Sequence, residues 1–210
     1  AVARDDRGGL ALEKLDKDTW RAAPTVGPLT VRAEIYAWDL SVRSAHLDQT
    51  HGFFNGTSLF LRVEGQDHLP HGVTLRTPDD PQCVGWRVAT TLPRRSGAAL
   101  DPGVFEAVDY DALIDHPVEM GTFTHAAFTA CGVRHEVAIT GRHACDLERL
   151  CADLTAICEQ HIRFFGEPAP VDRYLFLVMA VGDGYGGLEH RASTALICKR
   201  DDLPRAGEVD

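Results

Sequence analysis

Apolar and polar positions change period near residue 143. From about Leu29 to Gly141 they follow the period of two that marks half-buried strands. Val31, Ala33, Ile35 and Ala37 alternate with Arg32, Glu34, Tyr36 and Trp38, which predicts a strand over that stretch. Val84, Trp86, Val88 and Thr90 repeat the pattern, as do Val133, His135, Val137 and Ile139. Asn55-Gly56 lies between two apolar runs, a pair that predicts a hairpin turn. Pro and Gly clusters near 65–72, 78–81 and 93–103 punctuate the runs. Short strands with frequent turns imply an antiparallel sandwich or open sheet. Asp109 to Ile114 reads as one helical turn, followed by a loop from Asp115 to Glu119.

Beyond residue 143 the spacing becomes three and four. Leu147, Leu150, Cys151, Leu154, Ile157, Cys158 and Ile162 or His161 share one face of an amphipathic helix. Asp146 is its expected N-cap, and Gly166 followed by Pro168 its stop. A continuous apolar run from Tyr174 to Val181 reads as a buried strand, and Ser193 to Cys198 as another. Between them lie four glycines, 182, 184, 186 and 187, read as a bare loop that lets backbone approach a ligand closely. The expected organisation is a mostly β N-terminal domain over residues 1–142 and the start of an α/β domain over 143–210.

Composition narrows the function classes. The chain has 210 residues, enough for one large domain or one and a half small ones. Its net charge of −10 argues against binding a phosphate backbone, so nucleic acid is not an expected partner. No apolar run approaches the roughly 18 residues of a membrane span, and no signal-like segment opens the chain. A soluble, cytoplasmic protein is the default reading, with a leader removed before Ala1 as the alternative. Polar segments at both ends suggest a piece of a longer protein. The six cysteines form no CxxC pair and read as reduced, small apolar residues.

Several motifs invite chemistry. Gly182-Asp183-Gly184-Tyr185-Gly186-Gly187 matches GxGxxG after a strand, but a dinucleotide site needs a helix next, and the sequel reads as a strand. His135-Glu136 begins like HExxH, yet Ile139 stands where the second histidine belongs, and the segment alternates like a strand. His68 and His71, and the sequon Asn55-Gly56-Thr57, read as ordinary turn features. Glu119, behind a proline, reads as a surface residue. Glu189 follows the glycines directly. It either pairs with Arg191 or a lysine, or stands ready for a cationic ligand group such as a free α-amine.

Gly186-Gly187-Leu188-Glu189-His190-Arg191-Ala192-Ser193-Thr194, behind an apolar strand, resembles the glycyl aminopeptidase family of zinc metallopeptidases, within the thermolysin-like HExxH group. Trp38 to Asp48, Phe53 to Ser58, Asp115 to Gly121 and Phe164-Phe165-Gly166 resemble the same family's N-terminal half, in the same order. The resemblance implies an N-terminal β domain followed by the opening of a thermolysin-like catalytic domain. It implies that Glu189 holds a substrate's N-terminal amine, that Gly186 and Gly187 admit substrate backbone, and that Glu119 reaches the same amine from the β domain. It also implies catalytic zinc in the whole enzyme, on an HExxH helix and a third ligand expected after residue 210. No catalytic or metal-binding residue is therefore expected in this chain, which should be inactive alone.

The reading that follows is an N-terminal portion of a zinc aminopeptidase releasing glycine or other small residues. Its partners would be a peptide with a free N-terminus and the remainder of its own catalytic domain. One rival is a β-sandwich interaction module in which residues 143–210 pack as part of a single domain; the aminopeptidase reading instead leaves one apolar flank, on helix 147–165 or strand 193–198, without a partner. The other rival, a nucleotide-dependent enzyme, requires a helix after Gly187.

Overall fold

The computed structural model describes residues 1–207 and divides the chain into two compact units, Ala1–Tyr36 and a second beginning at Ala37. The first unit holds β1 (Val2–Asp5), β2 (Gly8–Leu10), β3 (Leu12–Lys14), β4 (Trp20–Ala22) and β5 (Thr30–Arg32). Its sheet runs β2-β1-β5, and β3 pairs with β4. The Asp5 carboxylate accepts from the Val26 and Arg7 amides, which ties down the turns of this small unit.

In the second unit come β6 (Ala45–Leu47), β7 (His51–Phe54), β8 (His71–Leu75), β9 (Arg87–Ala89), β10 (Arg94–Ser96), β11 (Gly103–Ala107) and α1 (Tyr110–Ile114). There follow β12 (Val118–Gly121), β13 (Thr124–Ala130), β14 (Val133–Thr140), α2 (Leu147–Phe165), β15 (Arg173–Val181), β16 (Gly186–Glu189) and β17 (Ser193–Lys199). They build two antiparallel sheets, β10-β11-β8 and β6-β7-β12-β9, and a five-stranded mixed sheet, β13-β14-β15-β17-β16. The molecule is mostly β. In the mixed sheet β14, β15 and β17 are parallel, with antiparallel strands at both edges. Helix α2 makes the crossover from β14 to β15, as a parallel pair requires.

Strand alternation in the β6-β7-β12-β9 sheet decides the layering. Phe54, Val88 and Val118 point into a core shared with Val73, Leu75 and Phe105 of the β10-β11-β8 sheet. Their neighbours Phe53 and Ala89 point the other way, into a core with Ala138, Leu175, Leu177 and Ala195 of the mixed sheet. The opposite face of the mixed sheet packs under Leu147, Leu150 and Leu154 of α2. Side chains on both faces of a strand two residues apart point the same way, so adjacent residues are bound to serve different cores.

Helix α2 begins at its expected cap, where the Asp146 carboxylate accepts from the Arg149 amide, and ends at Gly166. Other local expectations are overruled. Asn55-Gly56 makes no hairpin; the Asn55 side chain caps a 3₁₀ turn, Gly56–Ser58, and accepts from the Thr57 amide. The strand expected from Val31 to Trp38 stops at Arg32, and Trp38 survives only as a single bridge to His46. Glu119 lies in strand β12 rather than a loop, and the expected glycine loop becomes strand β16 from Gly186. Glu119 took its conformation from strands distant in sequence, β7 and β9, which a local pattern does not contain, whereas β16 pairs with the adjacent β17. Residues on both sides of position 142 share the mixed sheet, since β14 pairs with β15 in parallel register. Of the polar segment that closes the chain, residues 201–210, the last three lie outside the described residues.

Gly56 is required by a close approach. A Cβ there would stand 2.7 Å from the Ile114 Cα, at the end of α1. Backbone cannot yield as a flexible side chain does. Gly56→Ala should therefore lower unfolding stability by about 2–3 kcal/mol, read as a shifted urea midpoint with unchanged slope. An unshifted midpoint would show that the α1 contact is slack.

Candidate functional site

Strand β16 is an edge strand among the described residues. It pairs with β17 on one side, from Gly186 opposite Ile197 to Glu189 opposite Thr194, and its other backbone edge is unpaired. Two glycines at its start leave that edge free of bulky side chains. Leu188 turns into the core with Ala195 and Leu175. Glu189, next along, points to the opposite face and is exposed. Burial, with the nearby Cys158 and Glu189 as smaller causes, pushes the Tyr174 phenol up from its ordinary value.

Among the described residues, no hydrogen bond or ion pair is made by the Glu189 side chain. Arg191, the partner that sequence spacing offered, goes elsewhere. Its backbone amide donates to Asp115 Oδ2 at 3.3 Å, and its guanidinium Nε lies 3.8 Å from the same oxygen. The His190 ring donates from Nδ1 to Asp115 Oδ1 at 3.3 Å. Because an ionised carboxylate only accepts, that contact assigns the ring proton to Nδ1. Asp115 caps the C-terminal end of α1. The turn between β16 and β17 is closed by His190 N donating to Ser193 O at 2.8 Å, and Thr194 Oγ1 donates to Leu188 O at 3.2 Å.

Glu119 takes a different position. It is 4% exposed and lies between the β6-β7-β12-β9 sheet and the mixed sheet. Its Oε1 accepts from His51 Nδ1 at 3.1 Å and from Thr140 Oγ1 at 2.9 Å, so it ties β12 to both β7 and β14. Burial raises its pKa from the ordinary carboxylate value, against the opposing pull of His51 and Thr140. An apolar crease lined by Leu40, Val42, Phe53, Leu177 and Ile197 opens beside this pair. The residues around that crease do not include Glu189, Gly186 or Gly187. Glu189 and the two glycines thus stand together on β16, while Glu119 lies in the buried interlayer. Asp115 and His51, the groups that hold these two carboxylates' surroundings, were not singled out in the sequence; a lone Asp after a short helix carries no local signal of its partner.

His46, Asp48 and His51 are the one group of three or more potential metal donors among the described residues with ligand atoms within 4.8 Å of one another. They do not fit a catalytic zinc. Asp48 Oδ1 already accepts from the Thr50 amide, the Thr50 hydroxyl and the His51 amide, and Oδ2 pairs with His46 Nε2. The two imidazoles are stacked, with centroids 5.0 Å apart and planes at 26°, so their in-plane lone pairs run side by side instead of converging. His135-Glu136 does not fit either. The His135 ring stacks on Phe128, while Glu136 is held by His125, Arg134 and Arg173. The GxGxxG stretch leads into strand β16, not a helix, which removes the dinucleotide reading.

The family model described as the Peptidase M61 N-terminal domain matches residues 1–122. The crystal structure of an aminopeptidase N family protein from Idiomarina loihiensis is similar with a TM-score of 0.96 and 48% identity, covering 100% of this chain and 35% of that one. The chain therefore spans about a third of the length of that protein. No curated protein matches.

The buried pair has a testable pH signature. His51 titrates above its ordinary value: burial opposes its charge, but the hydrogen bond and charge of Glu119, helped by Asp48, outweigh that. Both raised groups bind protons more tightly folded than unfolded, so stability falls as pH rises. The Glu119 contribution begins to fade above the unfolded value of 4.5. The His51 contribution is complete below the unfolded value of 6.5 and is lost as pH climbs through its higher folded value. In Glu119→Gln, thermal midpoints should decline less from pH 6.5 upward than in wild type. Parallel profiles would mean the pair does not couple folding to protons.

Proposed function

This chain belongs to the M61 peptidase family through its N-terminal domain, and from that premise we propose that it is the N-terminal portion of a zinc-dependent aminopeptidase acting on peptides with N-terminal glycine or another small residue. Its role in that enzyme is to hold the substrate's free amine. The single observation that carries the reading is Glu189: an exposed carboxylate without a protein partner among the described residues, at the end of a glycine-led strand whose outer edge is open.

The chemistry follows from that placement. A peptide laid against the free edge of β16 can exchange backbone hydrogen bonds with it, as in strand addition. Glycines 186 and 187 remove side chains that would keep the peptide away. Glu189 then meets the terminal ammonium as an ion pair and sets which bond is first in line for cleavage. Charge complementarity at one end of an extended substrate fixes its register more than it adds affinity. Glu119 does not share this surface; its bonds to His51 and Thr140 make it a support between layers, which would act on the amine only if that pair opened.

The metal site and water-activating groups belong, in this reading, to the rest of the parent enzyme, and this chain supplies substrate positioning. The rest of the catalytic domain is also the proposed partner of the mixed sheet's helix-side face. Ile157, Phe164 and Phe165 of α2 are exposed, and Tyr174, Phe176 and Leu196 are only half-buried. We place the opening of that catalytic domain at Thr124, where β13 begins the mixed sheet, directly after the family match ends at 122. Residues 143–207 do pack within the larger compact unit, which an interaction module also requires. The uncompensated Glu189 beside an open edge favours the peptidase.

The test uses the full-length parent on glycyl substrates, with and without chelator, as wild type and Glu189→Gln. The expected result is chelator-sensitive activity and a loss in kcat/KM on the order of 100-fold in the variant. Equal activity in wild type and variant would remove the amine anchor and bring the interaction module forward.

A further inference from the structure

The turn after Glu189 is gripped from outside its own hairpin. Both oxygens of one carboxylate, Asp115, are spent on the two residues that directly follow Glu189: Oδ1 on the His190 ring and Oδ2 on the Arg191 amide. The contact spans 75 and 76 positions of sequence, from the end of α1 to the β16–β17 turn. Its His190 half is largely shielded from water. The Asp115 side chain is 22% exposed and that of His190 is 6% exposed. Buried His190 Nε2 has no hydrogen-bond partner, so Nδ1 to Asp115 is the ring's one polar attachment among the described residues.

We propose that Asp115 is a positioning residue for amine recognition, holding the β16–β17 turn so that Glu189 meets the substrate's terminal ammonium. This deepens the aminopeptidase reading and rests on it. An edge strand has half its backbone bonds unmade, and four residues with two glycines make it a soft one. Leu188 anchors the strand in the core on one side of Glu189. Asp115 anchors it on the other. With both neighbours held, the backbone of Glu189 has little freedom left, although its own side chain is unpaired.

The support behind Asp115 is also built. Gly56 lets the 3₁₀ turn Gly56–Ser58 approach the Ile114 backbone, one residue before Asp115, more closely than any side chain would permit. His116, one residue after, is held through its Nδ1 and Thr91 Oγ1 at 2.7 Å. Asp115 is therefore carried on rigid backbone at both sides. A carboxylate on a rigid mount, using both oxygens on one turn, fixes position as well as adding stability. A residue that merely stabilised the fold would lower thermal stability without a special relation to Glu189.

A double-mutant cycle in the full-length enzyme separates these. Asp115→Asn, Glu189→Gln and the pair are measured for kcat and KM on a glycyl substrate, with thermal midpoints as a check on folding. Asp115→Asn should keep its fold and lose kcat/KM about tenfold, consistent with the loss of a hydrogen bond to a charged group. In the Glu189→Gln background it should cost little more, because there is no longer an anion to position. Full additivity, or an unchanged kcat/KM in Asp115→Asn, overturns the proposal while leaving Glu189 as the amine anchor. A silent Glu189→Gln overturns the amine anchor and the positioning role with it. Should Asp115→Asn fail to accumulate, His190→Phe removes the same bond from the other partner and is read in the same cycle.

Discussion

The architecture depends on a sheet buried on both sides. Strands β7 and β9 supply apolar side chains to two cores at once, while β12 gives Val118 to one core and turns Glu119 toward the other. Phe53-Phe54 and Val88-Ala89 do this in pairs of adjacent residues, one up and one down. A strand slipped by one residue would exchange the two cores wholesale, so register is strongly specified. That middle sheet locks the β10-β11-β8 sheet on one side and the mixed sheet on the other into one compact unit from Ala37 onward.

Glu119 is a point where this layering carries a buried charge-bearing group. In β12 the alternation that sends Val118 into one core sends Glu119 into the other. An unpaired carboxylate there would cost several kcal/mol. His51 from β7 and Thr140 from β14 meet that demand, so polar satisfaction adds a directional tie between layers that apolar packing lacks. The same burial that makes it a tie keeps it off the exposed edge where Glu189 stands.

The proposed amine site lies on the far edge of the mixed sheet. The inner strands β14, β15 and β17 are long and well paired, while β16 is short, glycine-led and open on one side. Rigidity is borrowed from Leu188 in the core and Asp115 at the turn, which leaves the Glu189 side chain free for a ligand. A site on an edge strand gains access to a peptide backbone at the cost of intrinsic order, and the contacts from α1 restore that order from outside the sheet.

What depended on local pattern was legible. The amphipathic period and caps located α2 from Leu147 to Phe165, and apolar runs located β15 and β17 within a residue or two. The mostly β character was plain from alternation and turn residues. Asn55-Gly56 misled because the same pair suits a capped 3₁₀ turn as well as a hairpin, and only the nearness of Ile114 decides between them. Glu119 looked like a surface residue because a single carboxylate behind a proline carries no trace of the histidine 68 positions away that buries it. Sequence by itself determined which segments could be helix or strand and which residues had chemistry to offer. Tertiary structure alone decided which carboxylate became a buried tie, which a clasp and which an open site, because burial and partner are set by chain distant in sequence, and a side chain's charge acts only through the surroundings it is given.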